Sequence, residues 1–166
     1  MAEQIILSNK NMSVTISAMG AEIISAVKNG KEKMWCGDPD VWGKHAPVLF
    51  PVCGGLNNDT YSYNGIEYTL PRHGFARTSL FEVEEAKADR ATFLLTSNDD
   101  TRKNYPFEFE FRLNYTLKDT CLEVEYSVKN TDSKDIYFSL GGHDAYACPE
   151  GVEAYSVIFE KPESLD

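Results

Sequence analysis

The stretch of sequence that decides the fold is "PFEFEFRLNYTLKDTCLEVEYSVKN", residues 106–130. Apolar side chains occupy every second position from Phe107 to Leu117, with polar or charged side chains between them, and the same alternation returns from Leu122 to Val128. A period of two places the two kinds of side chain on opposite faces of a β-strand. Because the linker "KDT" is so short, the two runs are predicted to form an antiparallel hairpin.

The same alternation continues outward in shorter runs. "MSVTIS", residues 12–17, has an apolar and a polar face. The dipeptides Asn29-Gly30 and Asn64-Gly65 suit the positive φ angles of tight hairpin turns, and a further hairpin is expected around Lys87–Arg90. A last strand is predicted in "VEAYSVIFE", residues 152–160. These runs indicate an all-β protein.

One short helix is predicted, at Asp38–Trp42, where an aspartate that can cap a helix is followed by proline. The strands follow one another at hairpin spacing, and each has one apolar face. The sequence therefore predicts an antiparallel β-sandwich of two sheets packed face to face. No linker or composition change divides the chain, so residues 1–166 are expected to form a single β-sandwich domain, or the N-terminal half of one, with no separate second domain.

The composition restricts the partners. The 166 residues carry a formal net charge of −10, which disfavours nucleic acid and anionic membranes and is most easily reconciled with a neutral small molecule. No secretory signal or membrane-spanning stretch is visible, and the four cysteines show no CxxC spacing, so a cytoplasmic protein with reduced thiols is expected. The histidines lack metal-ligand spacing, and neither a metal nor another cofactor is predicted.

Two histidine motifs interrupt the strand pattern. In "LPRHGFAR", residues 70–77, His73 lies beside Gly74, which would let a ligand approach the backbone, and between Arg72 and Arg77, which supply donors. His45, beside a lysine, is predicted to lie on the surface. Lone histidines in β proteins are usually structural or surface residues, and that alternative stays open on local sequence alone.

The second motif is "GGHDAY", residues 141–146. The two glycines remove side chains next to His143, so a polyol could lie close to the imidazole. The indole rings of Trp35 and Trp42 could stack on a sugar ring, but packing is the preferred interpretation for both.

These motifs lie within a longer resemblance. "APVLFPVCGGLNNDTYSYNGIEYTLPRHGFAR", "YPFEFEFRLNYTL", "LEVEYSVKN" and "FSLGGHDAY" occur in the order in which they occur in the aldose 1-epimerase (galactose mutarotase) family, which the chain resembles over essentially its whole length. The branch it resembles most is the mutarotase-related group associated with lactose operons. The resemblance implies the large antiparallel sandwich of that family, with an aldohexose bound on one concave face.

The resemblance also implies a reaction and residue roles. Family members interconvert α and β anomers by acid–base opening of the sugar ring. By that resemblance the general-acid histidine falls on His143, and the histidine that bonds near the ring oxygen falls on His73. Arg72, Arg77 and Asp144 are also expected to contact the substrate, although the family does not have these contacts at matching positions. The family often has Gly-Arg where this chain has Gly54-Gly55, and His-Pro where it has His143-Asp144.

The family's catalytic glutamate belongs to a C-terminal half that has no counterpart in these residues. An apparently truncated sandwich with the acid but not the base is therefore expected, and the isolated chain should be weak or inactive as an enzyme. The alternatives are a non-catalytic carbohydrate-binding or sensing module, a hexose-6-phosphate epimerase with a phosphate clamp near Arg72 and Arg77, and a structural fragment with no competent site. A halved sandwich would also leave sheet edges and an apolar face open, which predicts a homo-oligomer built through β edges.

Overall fold

Two four-stranded antiparallel sheets make up most of the computed structural model, which describes residues 2–161. The strands and the helix, in chain order, are β1 Gln4–Ser8, β2 Met12–Ser17, β3 Glu22–Lys28, β4 Lys31–Glu32, β5 Val48–Leu49, β6 Thr60–Tyr63, β7 Ile66–Thr69, β8 Glu82–Ala86, β9 Arg90–Thr96, α1 Asp99–Asn104, β10 Phe109–Lys118, β11 Cys121–Asn130 and β12 Gly141–Gly142. Single 3-10 turns occupy Asn57–Asp59, Ala76–Thr78 and Val152–Ala154. One sheet has the order β1-β2-β3-β4 and the other β11-β10-β9-β8, while β5 pairs with β12 and β6 pairs with β7.

The predicted hairpins are confirmed. Strands β10 and β11 pair along their whole length, with Leu117 opposite Leu122 and Lys118 opposite Cys121, so the turn is the pair Asp119-Thr120. Both residues of Asn64-Gly65 have positive φ, at 50° and 77°, as a tight turn between β6 and β7 requires.

The core lies between the two large sheets. The aromatic stripe of β10 is fully covered there: Phe109, Phe111 and Tyr115 are at most 2% exposed. They pack in one cluster with Leu7 and Val14 of the opposite sheet. Burial of each such side chain stabilises the fold by roughly 1.5–3 kcal/mol. The expectation that a half-length sandwich leaves this stripe uncovered is therefore wrong, because the chain supplies its own opposing sheet.

The helix prediction is wrong in position. At Asp38–Trp42 the N–H groups of Val41 and Trp42 both donate to the Asp38 carbonyl, which makes a turn and no helix. The helix lies at Asp99–Asn104 instead. Its N-cap, Asn98, accepts from the N–H of Thr101, whose hydroxyl accepts from the Asn98 N–H in return. This capping box is a sequence signal that the strand pattern concealed.

The predicted last strand is also wrong. Residues 152–154 form a 3-10 turn, and the residues after it pair with no strand in the described part of the chain. Val157, Ile158 and Phe159 are 82%, 90% and 57% exposed. Alternating composition alone cannot make a strand, because a strand needs a hydrogen-bonded neighbour.

Candidate functional site

The structure brings the two histidine motifs together. The ring centroids of His73 and His143 are 5.8 Å apart, with one imidazole edge-on to the other. The indole of Trp42 also lies next to His143, at 5.1 Å between centroids. Three rings from distant segments therefore form one cluster that includes His143, and Trp42, for which packing is the preferred interpretation from sequence, lies beside the candidate site.

The loop that carries Gly54 fixes the ring of His73. The N–H of Gly54 donates to Nδ1 of His73 at 3.0 Å, and the backbone N–H of His73 donates to the Gly54 carbonyl at 2.8 Å. Because Nδ1 is an acceptor, the neutral imidazole carries its proton on Nε2, where it can donate to a ligand. His73 also adopts φ +68°, a conformation that costs energy for a residue with a Cβ.

The electrostatic surroundings keep His73 neutral. Its pKa lies below the usual value for histidine, mainly because the ring is partly desolvated. The positive charges of Arg77 and Arg72 and the nearby His143 lower the pKa further. The guanidinium of Arg77 donates to the Arg72 carbonyl at 2.8 Å, so one of its N–H groups is already used inside the loop.

His143 lies on an extended segment, residues 139–147, that runs antiparallel to two other segments. On one side it follows residues 45–51, and on the other side residues 33–35. The bonds are Ser139 N to Pro51 O, His143 N to Pro47 O, Ala145 N to His45 O, Trp35 N to Ala145 O and Ala147 N to Lys33 O. The backbone of the motif is thereby fixed, while the His143 side chain remains exposed.

The two glycines before His143 have a packing role that the sequence did not reveal. A Cβ on Gly141 would lie 3.2 Å from the sulfur of Cys53, and a Cβ on Gly142 would lie 3.0 Å from the hydroxyl of Tyr126. A side chain at either glycine would therefore crowd a neighbouring side chain of the protein.

Gly74 likewise serves packing and not a ligand. It is buried, has φ +67°, and a Cβ at this position would lie 2.3 Å from the carbonyl oxygen of Phe50. The N–H groups of Phe75 and Ala76 donate to that same carbonyl. The expectation that Gly74 lets a ligand approach the backbone is wrong, because the Phe50 backbone occupies the space.

The other predicted residues lie as follows. Asp144 is exposed, and its Oδ2 accepts from the hydroxyl of Tyr146 at 3.4 Å. Arg72 is exposed and Arg77 half-buried. His45, for which the sequence predicts a surface position, is half-buried.

Tyr126 is the residue that sequence reasoning missed. It was assigned only to the apolar face of β11, although its hydroxyl reaches the Gly142 backbone. The period-two pattern predicts the face of the sheet on which a tyrosine lies, but not which atoms its hydroxyl approaches.

The described residues contain no metal-binding group, no disulfide and no membrane-spanning helix. Within residues 2–161, no three side chains of the metal-binding types are grouped so that they could hold an ion. All four cysteines are free thiols. In the same part of the chain, no helix is both long enough and apolar enough to cross a membrane.

The profile of the aldose 1-epimerase family matches residues 3–166. The chain belongs to the aldose 1-epimerase family. It is 36% identical to the plasmid-encoded protein LacX of Lactococcus lactis subsp. lactis over 95% of this chain and 56% of that protein. The predicted family, its lactose-operon branch and the antiparallel fold class are thereby confirmed.

Solved structures give the same result for this aldose 1-epimerase family member. A galactose mutarotase related enzyme from Lactobacillus acidophilus superposes with a TM-score of 0.87 and 46% identity, over 89% of this chain and 50% of that one. A galactose mutarotase-like protein from Lactobacillus casei gives 0.84 and 38%, over 87% and 50%. The chain thus spans about half the length of these relatives.

Proposed function

We propose that this chain binds an aldopyranose at the cluster formed by Trp42, His143 and His73, and that His143 is the general acid of an α–β anomer interconversion. The proposal is supported above all by the 5.8 Å approach of the two imidazoles, since one sugar ring can contact two groups at that spacing. Membership in the aldose 1-epimerase family supports the sugar class and the reaction.

The chemistry assigns different tasks to the two histidines. His143 is exposed on a fixed backbone and can give a proton to the ring oxygen, O5, of a bound sugar. A base removes the proton of the C1 hydroxyl, the C1–O5 bond breaks, and the open-chain aldehyde forms. Rotation about C1–C2 and closure on the other face of the carbonyl give the second anomer.

His73 is suited to binding and not to proton transfer. Its depressed pKa keeps the ring neutral, and the Gly54 N–H occupies Nδ1. The remaining Nε2–H donates a hydrogen bond near the ring oxygen and so orients the sugar toward His143. Arg72, Arg77 and Asp144 are proposed as further contacts to sugar hydroxyls.

Two measurements test this proposal. Chemical-shift titration of the chain with glucose and galactose should perturb the imidazole signals of both histidines, and His143→Gln and His73→Gln should weaken binding. Polarimetry of freshly dissolved α-glucose tests the acid role. Sugar binding without any acceleration that depends on His143 would instead support the alternative, a carbohydrate-binding or sensing module, while a chain that binds no sugar would contradict both.

A phosphorylated sugar is a second candidate, supported by one observation. Two arginines lie close enough to His73 to lower its pKa, although the net charge of the chain is −10. A phosphate held there would be neutralised locally. Competition between galactose and galactose 6-phosphate separates the candidates: a phosphosugar site binds the phosphate ester more tightly and loses that preference in Arg72→Gln.

A further inference from the structure

A phenol and a carboxylate face the same point beside His143. Measured from the position of a Cβ on Gly142, the hydroxyl oxygen of Tyr126 lies at 3.0 Å and Oδ1 of Asp144 at 3.5 Å. The two oxygens therefore lie on one side of the backbone that carries the candidate acid.

The hydroxyl of Tyr126 differs from those of three other buried or half-buried tyrosines. The hydroxyls of Tyr61, Tyr105 and Tyr115 each donate to a backbone carbonyl. Within residues 2–161 the Tyr126 hydroxyl has no such acceptor, and no side-chain oxygen in that range is both fully buried and without a partner. The Tyr126 oxygen is therefore not completely buried, and its half-buried ring stacks on Phe111 with an interplanar angle of 19°.

The two groups have complementary hydrogen-bonding roles. Burial, followed by the nearby Asp144 and Cys53, raises the pKa of Tyr126, so the phenol keeps its proton at neutral pH and acts as a donor. The Asp144 carboxylate is an acceptor. The Tyr146 hydroxyl contacts only its Oδ2, which leaves Oδ1 for another partner.

We propose that Tyr126 is a further sugar-binding residue: its hydroxyl donates to one hydroxyl of the bound aldopyranose while Oδ1 of Asp144 accepts from the neighbouring hydroxyl. A donor and an acceptor placed side by side match a vicinal diol, because each sugar hydroxyl can both give and take a hydrogen bond. This inference rests on the proposed sugar site and adds the two residues that would distinguish sugars by the arrangement of their hydroxyls. It also explains why Gly142 precedes His143, since a side chain there would push the phenol away.

The test is a coupling experiment with deoxy sugars. Dissociation constants are measured by NMR titration for galactose, glucose and their 2-, 3-, 4- and 6-deoxy forms, with the unaltered chain and with Tyr126→Phe. Phenylalanine keeps the ring on Phe111 and removes only the hydroxyl. We expect Tyr126→Phe to weaken binding of the parent sugar about 3- to 10-fold, as loss of one neutral hydrogen bond does. One of the deoxy sugars should bind the unaltered chain more weakly than its parent sugar by the same factor. That deoxy sugar should bind the Tyr126→Phe variant no more weakly than it binds the unaltered chain.

The matched control is Tyr146→Phe, which removes the hydroxyl on the other oxygen of the same carboxylate and should change binding less than about twofold. Unchanged affinity of Tyr126→Phe for every sugar would overturn this inference and leave the proposed function standing. The inference would also be overturned if, for all four deoxy sugars, the loss of affinity from the missing sugar hydroxyl simply added to the loss from Tyr126→Phe. Additive losses would show that the phenol contacts none of the removed hydroxyls. A chain that binds no sugar at all would overturn both.

Discussion

The imidazole of His143 lies edge-on to that of His73, with 5.8 Å between ring centroids, although the two residues come from distant parts of the chain. His73 is fixed by a loop that bonds to both its backbone and its Nδ1, and His143 by an extended segment paired on both sides. The His73 ring and the His143 backbone are thus fixed independently of each other, which preorganises the two imidazoles as a pair.

The depressed pKa of His73 makes stability depend on pH. The unfolded chain takes up a proton on this ring near the ordinary histidine pKa of about 6.5, whereas the folded chain does so only at lower pH. The contribution of His73 to stability is therefore constant above about pH 7.5 and falls as the pH drops through about 6.5 toward the folded pKa. Thermal melts across this range test it, and His73→Gln should remove this contribution. A pH dependence that the variant leaves unchanged would show that another group titrates.

The isolated chain is expected to be a poor mutarotase. The chain spans about half the length of its relatives, and the resemblance places the family's base in the other half. Absence of a general base costs on the order of 10²–10⁴ in rate. Polarimetry with α-glucose and α-galactose measures the effect against a full-length relative. Acceleration equal to that of the relative, abolished by a change at one carboxylate of this chain, would show that the base lies within these residues.

Gly142→Ala tests the contact between Gly142 and Tyr126. A Cβ at 3.0 Å from the phenol oxygen requires the Tyr126 side chain to shift by a few tenths of an ångström, so a loss of about 1 kcal/mol is expected. Tyr126→Phe removes the crowded atom, so the same substitution should cost less than half as much in that background. Urea unfolding of the four proteins gives the coupling. Equal costs in both backgrounds would mean that the phenol does not occupy that space.

Gly74→Ala should be among the most damaging single changes in the chain. It places a Cβ in the left-handed region and 2.3 Å from the Phe50 carbonyl oxygen, so a loss of at least about 3 kcal/mol is expected. Gly65→Ala is the matched control. Gly65 also has positive φ, at 77°, but no atom lies within 4 Å of its Cβ position, so only about 1–2 kcal/mol is expected. Similar losses would show that the backbone contact contributes nothing.

Self-association is expected to involve residues 155–159 and the open edge of β11. Val157 and Ile158 are 82% and 90% exposed, and β11 ends its sheet with one edge unpaired in the described chain. Light scattering at micromolar concentration should detect dimers or larger species, and Ile158→Glu should reduce them. Leu80→Glu is the control, since Leu80 is 63% exposed but lies away from this segment in sequence. A monomer at all concentrations would contradict the prediction.

Local sequence determined the sheets because the forces that specify a hairpin act over a few residues. Alternation from Phe107 to Leu117 fixed the buried face of β10, and Asn64-Gly65 fixed a turn through its positive φ angles. The same reasoning wrongly predicted a strand at residues 152–160, because a strand also needs a hydrogen-bonded partner strand, which local composition does not reveal. It also missed α1, whose capping box lies between two strands.

Sequence motifs alone singled out His73 and His143, but only the tertiary structure placed their rings next to each other and next to Trp42. It also changed the meaning of the glycines. Gly74 suggested room for a ligand, whereas the fold fills that room with the Phe50 carbonyl, and a side chain at Gly142 would crowd the Tyr126 hydroxyl. The physical reason is that a missing side chain shows only that something comes close, and long-range packing decides whether that neighbour is a ligand or the protein itself.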